Sequence, residues 1–213
     1  MTSPLTETII LVSLEQAKRD CILIAAAKAF AQRGFRKASV DEIAKSAGVA
    51  KGTVYLACES KEDLFYQAVH REIREWTANA ARLIDPRKPA DELLLVVATA
   101  SLQDIARRPL VRELLEGKHS ELLPRWMPQF EELRILGRKN VVEILELGIA
   151  QGRFRKGLDV NEVATLLQDL NMSTLLFQRF RPDFDFARRL RAGLDLVLNG
   201  LRTKEHQGEV PSL

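Results

Sequence analysis

Residues 39–58, SVDEIAKSAGVAKGTVYLAC, carry two short helical patterns joined by Ala47-Gly48-Val49. Neither pattern is long enough to stand alone, because isolated helices below about 12–15 residues are marginal in water. The pair has to be carried on other helices, and the rest of the chain must supply them. Ser39 and Glu42 have the S-x-x-E spacing of a capping box, and Asp41 and Glu42 suit the positive end of the helix dipole. Ile43 and Ala44 face inward, Gly48 ends the first helix, and a second runs from about Ala50 to Cys58. A helix, a three-residue turn containing glycine and a second helix make the helix-turn-helix pattern, whose second helix enters the major groove of DNA.

The second helix has the chemistry for that role. Lys51, Thr53 and Tyr55 place a cation, a hydroxyl and a phenol within about one and a half turns, and Gly52 lacks a side chain where backbone would approach closely. Phosphates take cations, hydroxyls and amides, whereas base edges take donors, acceptors and small apolar groups. Formal net charge is only +3, but residues 28–51 hold six cations (Lys28, Arg33, Arg36, Lys37, Lys45, Lys51) against Asp41 and Glu42. The positive charge is therefore concentrated around the motif. A lone glycine in a helix–helix turn fits an ordinary helical protein equally well, and the turn and charge alone leave that alternative open.

The flanking sequence reads as helix almost throughout, without the alternating runs and hairpin turns of strands. The predicted fold class is all-α with about nine helices. Residues 1–15 are expected as a loosely attached acidic tail. A first helix spans about 16–32, buries Ile22, Ala26, Ala29 and Phe30, and stops at Arg33-Gly34-Phe35 with Gly34 in the left-handed C-cap position. Ser60 caps a fourth helix that continues through Leu64, Phe65, Val69, Ile73 and Trp76. Beyond Pro86 and Pro89, helices are expected at 90–107, 109–117, 125–151, 160–180 and 184–203, with Pro128 in the first turn of the third and Asp159–Glu162 as a further cap signature. The domain boundaries expected are 1–15 for the tail, 16–76 for the DNA-binding part with its motif at 39–58, and 77–213 for a larger helical part.

The segment ILIAAAKAFAQRGFRKASVDEIAKSAGVAKGTVYLACESKEDL, Ile22 to Leu64, resembles the N-terminal domain of the TetR family of transcriptional regulators. The match is nearly continuous there; the rest of the chain agrees in being helical and of suitable size. The resemblance implies that Ser39 caps the second helix beside a phosphate, that Lys51 and Thr53 sit where bases or backbone are contacted, and that Gly52 opens the recognition helix. It also implies that Tyr55 bonds a phosphate and that Lys61 contacts the DNA backbone. Ala57 stands where the family has Tyr or His, Cys58 where it has Phe, and Ala38 where Thr is common. Lys37, Arg36 and Lys45 are candidates to compensate.

The resemblance further implies an effector pocket in the larger part. Candidate lining residues are Leu95, Thr99, Leu102, Trp126, Phe130, Leu133, Asn140, Ile144, Leu167, Asn171 and Thr174, which suit a largely apolar ligand with a few hydrogen bonds. Gly137 and Gly148, inside one helix, either permit close packing or leave room for that ligand. The last two helices carry an apolar stripe wider than one core contact needs. Its members Leu175, Leu176, Phe180, Leu190, Leu194, Val197 and Leu201 suit a four-helix bundle with a second copy. A homodimer would read a palindrome, one half-site per recognition helix.

Other classes have less behind them. His70, His119 and His206 are scattered, and His119 near Glu121 reads as a solvated loop pair. There is no Gly-rich phosphate loop, G-x-S-x-G elbow or cysteine cluster, so neither an enzyme nor a metal or organic cofactor is expected. Cys21 and Cys58 read as two small buried side chains in a reducing compartment, with a redox switch as the alternative. Ile9–Val12 is too short for a signal peptide and no run approaches a membrane span, so a cytoplasmic location is expected. The expectation is a ligand-responsive homodimeric repressor that binds a palindromic duplex operator and is released by a small molecule. A helical ligand- or protein-binding dimer without DNA binding is the alternative, and an activator is the variant within the first class.

Overall fold

The computed structural model describes residues 4–119, 122–178 and 186–202; side chains at 4–13, 115, 123–127, 129, 130, 133, 171–178, 186, 187, 189–191 and 194 lie outside the description. The described residues form α1 (Pro4–Lys37), α2 (Val40–Ala47), α3 (Lys51–Ala57), α4 (Lys61–Ala81), α5 (Ala90–Ile105), α6 (Pro109–Leu115), α7 (Leu123–Ala150), α8 (Val160–Gln178) and α9 (Phe186–Leu201). The fold is all-α, as the sequence predicts, with a single two-residue bridge, Phe154 to Arg202, among the described residues. None of the described helices is long and apolar enough to cross a membrane.

The chain divides into two compact units, Met1–Glu72 and Ile73–Leu213, and the division falls within α4. In the first unit, α1 begins at Pro4, so residues 4–15 are helical rather than the expected tail. Gly34 interrupts α1 with φ 75° and ψ 160°, a conformation open essentially only to glycine, and one more turn reaches Lys37. The core gathers Phe30, Phe35 and Phe65, with Phe30 edge-on to Phe65 at 5.1 Å between ring centroids. Ile22, Ala26, Ile43, Val54 and Leu64 complete it, each nearly inaccessible. The two short helices are thus fixed by one or two buried residues each, on a platform made by α1 and the start of α4.

The second unit buries Leu93, Leu94, Leu95 and Val97 of α5 with Ile144 and Leu145 of α7, Ala164 and Leu167 of α8, and Leu198 and Leu201 of α9. Val96 is 45% exposed, so the apolar run of α5 is not covered all round as its sequence suggested. Gly148 is resolved in favour of close packing: a Cβ there would lie 2.1 Å from the ring of buried Phe154. Gly137 is nearly as tight, at 3.2 Å from Gln168 Nε2. Pro128 is interior to α7 rather than in its first turn, because the helix starts at Leu123 with a proline already at its N-terminus.

Asp91 is buried at the start of α5. It accepts from Arg153 Nε at 2.6 Å and Nη2 at 2.9 Å, and from Arg202 Nη2 at 2.7 Å. This closes α5 against the segment after α7 and the end of α9. Gln151 adds to the closure by accepting from the Ala90 N–H and donating to the Pro86 and Lys88 carbonyls. His119 is also buried, with φ 62°, and its Nε2 lies 3.0 Å from Glu113 Oε2. The expected solvated pairing with Glu121 is therefore corrected, since the ring turns into the fold against α6; Glu121 itself is outside the described residues.

Candidate nucleic-acid interface

The turn between α2 and α3 is built as the sequence requires. Ser39 Oγ accepts from the Asp41 N–H at 3.2 Å, and Gly48, in the left-handed conformation, returns its N–H to the Ala44 and Lys45 carbonyls. The capping box is only half formed, because the Glu42 carboxylate is taken by Arg33 at 2.5 Å. Val54 alone is fully buried in α3; Thr53 and Ala57 are half-buried, and Lys51, Gly52, Tyr55 and Leu56 face outward.

Four of the expected contact residues fall together on α3. Lys51 and Gly52 are exposed, Thr53 is half-buried and Tyr55 is 48% exposed. Lys51 Nζ donates to Asp41 Oδ2 at 2.8 Å, and this hydrogen bond, with the Asp41 charge, holds the amine above the ordinary lysine range. The side chain is fully cationic at neutral pH and pre-positioned at the front of α3. Gly52 has no positive φ, and a Cβ added there would meet nothing within 4 Å. Nothing inside the unit requires a glycine, although glycine costs a helix about 1 kcal/mol relative to alanine.

Lys61 stands apart from α3, at the start of α4. Its ammonium donates to the Arg36 carbonyl at 3.2 Å and lies 4.9 Å from the centroid of Phe35. An ammonium has three donors, so this structural role leaves others for a phosphate. Arg36, Lys37 and Lys45, the candidates for compensation, are all exposed. The family's Phe is replaced by Cys58, which is 5% exposed and donates Sγ–H to the Val54 carbonyl at 3.0 Å. Burial pushes the thiol up to about 11, and the charge of Asp63 adds to this. Cys21 is exposed, contrary to the expectation that both cysteines are buried. Among the described residues no cluster of three metal-ligating side chains occurs.

The family of bacterial regulatory proteins, tetR family, matches residues 22–68, the stretch that forms this platform. The HTH-type transcriptional repressor KstR2 of Mycolicibacterium smegmatis is 31% identical over 157 residues, 72% of this chain and 75% of that one. The chain belongs to the TetR family. It is a helix-turn-helix transcriptional regulator, and its relatives are regulators rather than enzymes. The fatty acid metabolism regulator protein of Bacillus subtilis is 26% identical over 187 residues, 86% of this chain and 95% of that protein. The crystal structure of FadR from Bacillus subtilis in complex with stearoyl-CoA shares the fold, with TM-score 0.63, 23% identity, and 85% and 98% of the two chains covered.

In the TetR-family frame, the expected effector positions fall into different environments. Ile144 and Leu167 are 0% and 4% exposed inside the subunit core, and Leu95 is 8% exposed within the same cluster, so all three pack against protein. Thr99 and Leu102 are half-buried on α5. Asn140 is buried and donates from Nδ2 to the Thr77 carbonyl at 2.7 Å, which occupies one of its donors. Trp126, Phe130, Leu133, Asn171 and Thr174 lie outside the described side chains. Sequence reasoning missed Thr77, whose hydroxyl is buried without a hydrogen-bond partner beside Asn140. An open groove of about 270 Å³ lies nearby, lined by Trp76, Asn79, Leu83, Ser101, Asp104 and Arg107 among others.

Of the expected dimer residues, Leu175, Leu176, Phe180, Leu190 and Leu194 lie outside the described side chains. Val197 is half-buried, and Leu201, 4% exposed, is a core residue of its own subunit, in the same buried cluster as Phe154 and the α5 leucines. The apolar surface that α8 and α9 do present includes Leu166 at 61% and Leu196 at 74% exposure, neither of which the sequence singled out.

Proposed function

We propose that this regulator is a ligand-responsive homodimeric repressor in which α3 of each subunit enters the major groove of a palindromic operator. The observation that carries this reading is the outward face of α3: Lys51, Gly52, Thr53 and Tyr55 together, with a glycine that no intramolecular contact requires. Lys51 and Tyr55 meet phosphate or base edges, Ser39 and Lys61 meet backbone, and Gly52 lets the two backbones close. The second copy joins through the α8 and α9 surface that includes Leu166 and Leu196.

The effector is proposed to be a ligand with a long apolar part, of the acyl-CoA thioester kind. This is supported by the similarity to the fatty acid metabolism regulator and to the FadR structure with stearoyl-CoA. Thr77 and Asn140 are the candidate polar contacts. Thr77 lies on α4, the helix that also carries Lys61, so a ligand engaging Thr77 bears on the element that opens at the DNA-binding platform. The ligand shifts the equilibrium only by its differential affinity for the DNA-competent and incompetent states.

Selection of bound sequences from a random duplex library tests the DNA reading. Wild-type protein enriches a palindrome, and Lys51→Ala and Tyr55→Phe both weaken binding to it, Lys51→Ala also lowering the salt slope by about one. A folded dimer that enriches nothing at low salt would refute the reading and leave a helical ligand-binding protein. The effector class is tested by release of the selected duplex with acyl-CoA thioesters of increasing chain length.

A further inference from the structure

Leu56 is 89% exposed, more than any other large apolar side chain among the described residues. A lone exposed leucine is ordinary on a protein surface, so its exposure alone says little. Its position says more. Leu56 is the residue after Tyr55 and lies four residues beyond Gly52, so it shares the helix face of the bare glycine. A Cβ built on Gly52 would meet no atom within 4 Å, Leu56 included, so an open strip of backbone runs beside one apolar knob.

The surroundings of that knob are polar and carry several cations, with Glu59 an exposed acid just beyond the helix. Lys51 and Tyr55 are exposed on the same short helix, α3 carries no acid, and the two nearby acids of α2 are held by Lys51 and Arg33. Arg36, Lys37 and Lys45 are exposed within the same unit. The occupant must therefore be a polyanion that presents a small apolar group within a polar groove. On the major-groove edge of DNA that group is the 5-methyl of thymine, while the other positions offer donors and acceptors that leucine cannot answer.

We infer that Leu56 is a specificity-determining residue that selects a thymine in each half-site by van der Waals contact with its 5-methyl group. The inference rests on the DNA-binding reading and adds to it which base is read and by which side chain. Deoxyuridine isolates the contact, since it differs from thymidine by that methyl and keeps every hydrogen bond. Burial of one methyl-sized group is worth about fourfold in affinity, and so about fifteenfold when both half-sites lose it.

The test measures equilibrium binding of the full-length protein to its selected operator, with each symmetric pair of thymines replaced in turn by deoxyuridine. The wild type is compared with Leu56→Ala, whose thermal melt reports that the exposed substitution leaves the fold intact. One thymine pair is expected at which deoxyuridine weakens the wild type about fifteenfold, while Leu56→Ala binds both duplexes equally. A wild type that binds its operator but shows no methyl effect that depends on Leu56 overturns this inference and leaves the DNA reading standing. A wild type that enriches no duplex overturns both.

Discussion

Two cysteines with similar sequence prospects meet opposite fates. Cys58 is enclosed beneath α3 with its thiol pushed up to about 11, chiefly by burial, so it stays protonated and unreactive near neutral pH. Cys21 faces outward on α1. Titration of the native protein with a chromogenic disulfide should therefore report one fast thiol, and titration in guanidinium two. A fast reaction at both sites in the native protein would refute the burial of Cys58. Local pattern cannot separate these positions, because whether a small apolar side chain is covered depends on which helix crosses it. Lys51 is different: its position on the outward face of α3 was legible from the turn and the helical period. Its partner Asp41, ten residues earlier, was not, since that pair depends on the angle between α2 and α3.

At the scale of the element, two glycines in helices have opposite reasons. Gly148 gives way to the ring of Phe154, and Gly148→Ala should lower stability by about 1–3 kcal/mol despite the better helix former, as overpacking does. Gly52 meets nothing, so Gly52→Ala should leave stability unchanged or raise it by up to about 1 kcal/mol while weakening operator binding. Thermal melts and duplex titration on the two variants check the pair. Equal stability losses at both sites would contradict the assignment of Gly52 to an external contact. The sequence left Gly148 open between packing and a ligand cavity, because the residue that fills the space, Phe154, lies beyond the end of α7. Helix existence was far easier to read, since it follows from local period and caps; the extension of α1 to Pro4 was missed because the unbroken apolar run Ile9–Val12 hides a helical spacing.

For the whole molecule, acid stability turns on Asp91. Burial alone would raise its carboxyl, but hydrogen bonds from Arg153 and Arg202 outweigh that and hold it at about 2, against about 3.9 in an unfolded chain. The depressed value adds stability that is complete above about pH 4 and is lost as pH falls toward 2, on the order of 2–3 kcal/mol. Asp91→Ala, which leaves Arg202 buried without its carboxylate, should cost about 3–5 kcal/mol at pH 7. Denaturant melts of wild type and variant across pH 2–7 check both, and a wild type as stable at pH 2 as at pH 5 would refute the account. Assembly is probed by Leu196→Glu with Leu166→Glu. Sedimentation should show a folded monomer, and operator affinity should fall by an order of magnitude or more as the paired half-sites are lost.

The chain's own pattern determined the all-α class, the order of helices, the helix-turn-helix at 39–58 and the outward polar face of α3, because caps, turn glycines and a 3.6-residue period act over a few neighbouring residues. Tertiary structure decided which apolar residues are core and which are surface. Leu201 and Leu196 lie on one helix five residues apart, yet one is 4% and the other 74% exposed. It also decided the partners of Asp91, 62 and 111 residues away, and the burial of His119 against Glu113. These depend on contacts between segments distant in sequence, and only the packing of the helices against one another brings such residues together.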